Sequence, residues 1–189
     1  MTLRTLTRLA AAAAAAALAA GAVQAADPTA SLDVLFAPYT GAGPVGNDNL
    51  QDNETFYWMY EGSGTWGGQS VNSWFLMWDP RAALTATGSV SFDAPILFLH
   101  DDQAELIATA AFNKPGVTYD YSNGNVGLEA NPDKPLTSIA GATLSLAWSA
   151  SNPGDHVRVM TAVPEPAALA LWLAGLACLG GWLRRARST

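Results

Sequence analysis

Two histidines, His100 and His156, are the residues of this chain best suited to proton transfer near neutral pH. His100 is followed by Asp101 and Asp102, and a carboxylate beside an imidazole can orient it within a serine-histidine-aspartate arrangement. No Gly-x-Ser-x-Gly elbow accompanies it. With no nucleophile in a recognisable setting, His100 reads as a surface turn after a strand. A two-histidine metal site would require His100 and His156 to meet in space, and their spacing gives no reason for that. The one cysteine, Cys178, lies in an apolar run close to the end of the chain. The central region therefore has no thiol nucleophile, no cysteine zinc site and no disulfide.

Carboxylates are more abundant. Residues 26–162 hold fifteen acidic residues and only four basic ones, Arg81, Lys114, Lys134 and Arg158. That balance of −11 is more acidic than the −7 of the whole chain. It excludes a nucleic-acid partner or an anionic lipid surface as the ligand of this region and suits cations. The densest stretch is Asn47 to Glu54, where Asp48, Asp52 and Glu54 alternate with amides. Hard oxygens in a loop are what calcium prefers, so calcium is the one cofactor these residues admit. The spacing matches no EF-hand and lacks its glycine, so a solvated loop is the favoured reading, with no cofactor expected and calcium the alternative. A paired-carboxylate glycosidase needs two particular carboxylates, and the sequence does not single out two.

Aromatic side chains crowd one region: Phe56, Tyr57, Trp58, Tyr60, Trp66, Trp74, Phe75 and Trp78 fall within 23 residues. Exposed on a sheet, Trp58, Trp66, Trp74 and Trp78 would form flat platforms able to stack on sugar rings or on a partner protein. Buried, they would be core. Neighbours in a strand point to opposite faces, so Tyr57 and Trp58 cannot share one core face, nor can Trp74 and Phe75. The second set needs a ligand, a partner or a crossing loop such as Gly41 to Asn53 to cover it.

The elements that position these residues read as strands. Leu32, Val34 and Phe36 alternate, as do Val90 and Phe92, then Leu144, Leu146 and Trp148, then Val157, Val159, Thr161 and Val163. Turn signals separate them at Gly41 to Gly46, Glu61 to Gly64, Gly67-Gly68, Asn123 to Asn125 and Asn152 to Asp155. Only Asp101 to Phe112 reads as helix. Many short strands between polar turns predict an all-β fold, an antiparallel β-sandwich.

The two ends differ from this middle. Arg4 and Arg8 precede an alanine-rich apolar stretch, and Val23-Gln24-Ala25 supplies small or tolerated residues for cleavage between Ala25 and Ala26. This predicts a secretory signal helix over 1–25. At the other end, Val163-Pro164-Glu165-Pro166 leads into an uncharged run from Ala167 to Leu183. Seventeen residues at ~1.5 Å each span about 25 Å, short but sufficient for a transmembrane helix. Arg184, Arg185 and Arg187 follow, and by the positive-inside rule they stay cytoplasmic while the middle lies outside. Residues 26–162 are then the exported domain and 163–189 a separate C-terminal segment.

This order of motif, membrane helix and basic tail resembles a PEP-CTERM sorting signal. Pro164, Glu165 and Pro166 match the motif, and Arg184 and Arg185 match the basic end; Ser188-Thr189 beyond them is a small departure. The stretches from Ser91 to Leu97 and from Ser151 to Val159 are also similar to parts of some ectodomains of that family. The resemblance implies exosortase as a partner, a precursor held in the inner membrane by its C-terminal helix, and then a place at the cell surface or outside the cell. It further implies association with exopolysaccharide and biofilm systems, and it implies no activity. The sequence thus favours an exported structural or adhesive protein of the surface or extracellular matrix, touching exopolysaccharide or a matrix protein, and not an enzyme. A carbohydrate-binding module ranks second and a secreted hydrolase third.

Overall fold

The computed structural model describes residues 25–163, which form one compact unit. The stretches read from the sequence as a secretory signal, apart from Ala25, and as a sorting motif, membrane helix and basic tail, apart from Val163, lie outside the described residues. Among the described residues no helix is long and apolar enough to cross a membrane.

The described residues are mostly β-sheet, as the alternation predicts. Nine strands run in order: β1 Thr29–Leu32, β2 Leu35–Pro38, β3 Thr55–Trp66, β4 Gln69–Trp78, β5 Leu84–Ser91, β6 Ile96–His100, β7 Ser138–Ala140, β8 Thr143–Ala150 and β9 Asp155–Ala162. They make a four-stranded sheet, β1-β5-β8-β7, and a five-stranded sheet, β2-β3-β4-β9-β6. All pairings are antiparallel except β2 with β3, which is parallel, so the expected purely antiparallel arrangement is corrected to a mixed one. The reason lies at Asp33 and Val34, where the chain leaves the first sheet and enters the second in the same direction. The Asp33 carboxylate accepts the Thr87 backbone N–H at 2.7 Å and closes the first sheet at that point.

Apolar side chains from both sheets fill the space between them. Ala86, Val90, Leu144, Leu146, Trp148 and Ala150 come from one sheet, and Phe56, Trp58, Trp74, Leu76, Trp78, Val157 and Val159 from the other. Leu32, Val34 and Phe36 all pack against this core, although Leu32 belongs to one sheet, Phe36 to the other and Val34 to the link between them. Close approach at the edge depends on Gly88, where an added Cβ would lie 2.0 Å from the Ser31 carbonyl oxygen.

Turn chemistry accounts for the longest hairpin. Gly67 and Gly68 carry φ values of 55° and 79°, as a two-residue hairpin turn requires, and they join β3 to β4. Glu61 to Gly64, expected as a turn, instead lies within β3. Its glycines mark a β-bulge, where pairing steps from Tyr60–Trp74 to Gly62–Ser73 and leaves Glu61 as the extra residue.

Helix α1, Gln103–Ala108, follows β6, and a 3₁₀ turn, Ala110–Phe112, extends it. The Asp102 carboxylate caps α1 by accepting the Glu105 N–H at 2.9 Å, and Glu105 accepts the Asp101 N–H in return. This helix, residues 39–50 and residues 117–126 cover the outer face of the five-stranded sheet. Met59, Phe75 and Met77 pack there against Val45, Leu106 and Val126, with Tyr57, Tyr119 and Tyr121 at the margin. A second 3₁₀ turn, Lys134–Leu136, leads into β7.

Candidate functional site

Strand parity explains the aromatic band. Trp58, Trp74 and Trp78 face the other sheet and are 8%, 1% and 0% exposed. Trp74 lies tilted against Trp58, Tyr60 and Phe92, and Trp78 stacks on Phe56, which in turn packs against Trp148. The expectation of ligand contact at these three is therefore corrected: no face of them is free for a sugar ring, because the second sheet occupies it. Trp66 differs. It is half-buried at the end of β3 and lies edge-on to His100 and Phe112 at 5.5 and 6.4 Å. Loops and α1 cover the outward set, Tyr57, Met59, Phe75 and Met77, as the crossing-loop alternative requires.

The outward face also holds a charged centre that the sequence did not reveal. Arg158 of β9 is fully buried and meets the bulge residue Glu61 in a bidentate pair, Nε to Oε2 at 2.6 Å and Nη2 to Oε1 at 2.7 Å. It also donates to the Leu106 carbonyl, Thr109 Oγ1, Asn113 Oδ1 and Tyr121 Oη. Ser73 donates to the same Glu61 carboxylate at 2.6 Å. Burial opposes the charge on Arg158, but the Glu61 carboxylate outweighs it and raises the guanidinium above its ordinary value. With donors and acceptors matched, this cluster fastens the covering layer to the sheet and leaves no group free for chemistry.

Neither histidine stands in a catalytic setting. His100, expected on a surface turn, is the buried last residue of β6, and burial lowers its pKa. Asp101 is engaged by Lys134 at 2.6 Å and Asp102 by the cap of α1, so neither orients the imidazole. His156 is fully buried beside Phe75, with its Nδ1 3.2 Å from the Gly154 carbonyl oxygen. Burial brings its pKa down to about 4, which keeps it neutral.

The acidic loop does not gather its carboxylates. Asp52 accepts the Glu54 and Thr55 N–H groups and the Tyr57 hydroxyl at 2.8, 3.2 and 2.7 Å. Burial pushes its pKa up, but these donors prevail and hold it below the ordinary carboxylate value. Asp48 Oδ2 accepts from the Gln51 and Asn152 amides at 2.9 and 2.7 Å. The carboxylates of Asp48, Asp52 and Glu54, expected from the sequence as candidate calcium ligands, are not among the acidic groups that converge within 4.8 Å in the described residues. Their density along the chain is spent on turn-forming hydrogen bonds.

Carboxylates converge elsewhere. Glu129, Asp133 and Asp155 each offer an oxygen, and these oxygens lie within 4.8 Å of one another. Asp133 and Asp155 are 0% and 1% exposed, while Glu129 reaches solvent. Asp133 precedes the second 3₁₀ turn, and its Oδ1 accepts the Ser149 N–H of β8 at 2.7 Å. Its Oδ2 and both oxygens of Asp155 receive no hydrogen bond. Burial, then the Asp133 and Glu129 charges, push Asp155 up to about 9. Asp79, one residue past β4, is 1% exposed, and burial raises it to about 6. Its Oδ2 accepts the Leu50 N–H at 2.8 Å, but Oδ1 receives nothing. Gly154, at φ 80°, lets the chain pass beside Asp79, for a Cβ there would lie 2.7 Å from Oδ1. Sequence spacing gives no signal for this group, since Asp155 comes from a segment distant from Glu129 and Asp133. No protein-family model, curated protein or solved structure matches this chain.

Proposed function

We propose that this chain is an exported structural or adhesive protein of the cell surface or extracellular matrix, handled by an exosortase through its C-terminal segment. The observation that carries this reading is the order Pro164-Glu165-Pro166, apolar run, Arg184-Arg185-Arg187, paired with a secretory signal before Ala26. The domain between them supports it in a general way. It is a cysteine-free, acidic β fold whose stability comes from packing, as suits a protein working outside the cell. Exopolysaccharide or another matrix protein is the partner class. The carbohydrate-module alternative keeps only Trp66 of its four platforms, because Trp58, Trp74 and Trp78 are core.

Fractionation of a host with and without its exosortase tests the proposal. In the wild-type host the protein should leave the inner membrane without Arg184, Arg185 and Arg187. Without the enzyme it should stay in that membrane at full precursor length after signal removal. Replacing Glu165 by Ala should reproduce the deletion. Equal size and location in both hosts rejects the reading.

A further inference from the structure

We propose that Glu129, Asp133 and Asp155 bind one calcium ion that fastens the two sheets together at one end of their shared core. The inference is independent of how the protein is sorted. It starts from carboxylate oxygens that the fold has brought together and given no donors.

Asp155 is the strongest observation. It is the first residue of β9 and shares strand parity with Val157 and Val159, whose side chains lie between the sheets. Its carboxylate is therefore directed into the inter-sheet space, it is 1% exposed, and neither oxygen has a hydrogen-bond partner. Asp133 faces it with a second unpartnered oxygen, Oδ2. Among the described residues no basic side chain forms an ion pair with these groups. Arg158 is committed to Glu61 on the opposite face, and Lys134 to Asp101 and Asp102. Burying unpaired carboxylates side by side is costly, and a cation or shared protons must offset that cost.

The geometry suits a calcium-sized ion. Ligand oxygens sit about 2.3–2.6 Å from calcium, so oxygens on opposite sides of one ion are about 4.6–5.2 Å apart. The three carboxylates offer oxygens within 4.8 Å of each other. Glu129 opens the group to solvent, which provides an entry path and room for water to complete the coordination. Hard oxygen donors without sulfur or a histidine in the group favour calcium over zinc. Asp79 stands behind Gly154 and adds a further negative charge without joining the group.

Such an ion would connect distant parts of the chain. Asp133 is held to β8 of the four-stranded sheet through Ser149, and Asp155 begins β9 of the five-stranded sheet. Glu129 belongs to the long connection before β7, so one ion would also order that connection.

The test uses the full chain purified in detergent and stripped with chelator. Calcium should bind once per chain. At about 100-fold excess over Kd it should raise the unfolding temperature by roughly 5–10 °C. Terbium should bind in its place and luminesce on tryptophan excitation, because Trp78 is the register partner of Asp155 and Trp148 precedes Ser149. Asp155→Asn should abolish both responses. Without metal it should be at least as stable as the wild type, since it relieves the repulsion. A residue needed only for folding would not behave so. Asp48→Asn and Asp52→Asn should keep the calcium response. If Asp155→Asn does not fold, Glu129→Gln at the exposed edge decides: a tenfold or greater loss of calcium affinity supports the site, and unchanged affinity overturns it. The proposal also fails if the wild type ignores calcium, the result expected if the carboxylates share protons instead. A response that survives Asp155→Asn, or that disappears with Asp48→Asn or Asp52→Asn alone, overturns it as well.

Discussion

At the scale of single residues, burial decides which of the chemically suggestive groups can act. His156 shows how. Its ordinary pKa is near 6.5 in the unfolded chain, and burial lowers it to about 4 in the fold. The folded state therefore resists a proton that the unfolded state accepts. Stability from this residue is fully present above pH 6.5 and is lost as pH falls toward 4. A histidine already neutral at pH 7 and enclosed by protein is a core residue, not a proton shuttle. The prediction concerns a difference, so that other titrating groups cancel. Between pH 7 and pH 4 the stability gap between wild type and His156→Leu should shift against the wild type by about 3 kcal/mol. Urea unfolding at several pH values measures it. A gap constant with pH would mean that the imidazole takes up its proton in the folded protein as readily as in the unfolded chain.

At the scale of elements, strand parity carried most of what the sequence could show. Trp58 and Trp74 face inward and Tyr57 and Phe75 outward, as alternation demands, and the need for a second cover was legible before any fold was known. The choice of cover was not. It depends on α1 and the long connections meeting the sheet, and loop sequences carry no period from which to read their paths. The fastening between cover and sheet was equally hidden, because Glu61 sits in a glycine-rich stretch that resembles a turn. The bulge there aims its carboxylate at Arg158, 97 residues later. The carboxylate group at Glu129, Asp133 and Asp155 was equally hidden: carboxylates crowd along the chain at Asp48, Asp52 and Glu54, whereas here the fold brings the connection holding Glu129 and Asp133 to the first residue of β9. Arg158 gives this scale its prediction. Arg158→Met leaves Glu61 buried without its partner and should cost about 3–5 kcal/mol. Adding Glu61→Leu should recover much of that loss, since the pair is then replaced by apolar groups. Chemical denaturation measures both, and near-ultraviolet circular dichroism should show Tyr119 and Tyr121 losing their fixed environment in the single variant. A single variant as stable as the wild type would show that the pair does not hold the cover in place.

At the scale of the whole molecule, the proposed signal cleavage would bear on folding at the start of the domain. Cleavage between Ala25 and Ala26 would remove Ala25, which packs against the inter-sheet core. In the uncleaved chain the Ala26 backbone N–H donates to Asp93 Oδ2 at 2.8 Å. Cleavage would turn that amide into a free α-amine, with an ordinary pKa near 8, so at neutral pH it would carry a positive charge. The same nitrogen would then form an ion pair with Asp93 in place of a neutral hydrogen bond. Because the contact is exposed, its added worth is at most about 1 kcal/mol. Signal removal would thereby tighten the junction of Ala26 with the segment after β5, offsetting in part the loss of Ala25. Two measurements follow. Mass analysis of the exported protein should give Ala26 as the first residue. Asp93→Asn should then cost more stability in the processed protein than in the uncleaved chain, and the difference should shrink as pH rises above about 8 and the amine loses its charge. Exported protein that retains Met1 removes the premise. An Asp93→Asn cost that is equal in both forms and independent of pH would leave the new amine without a part in holding the fold.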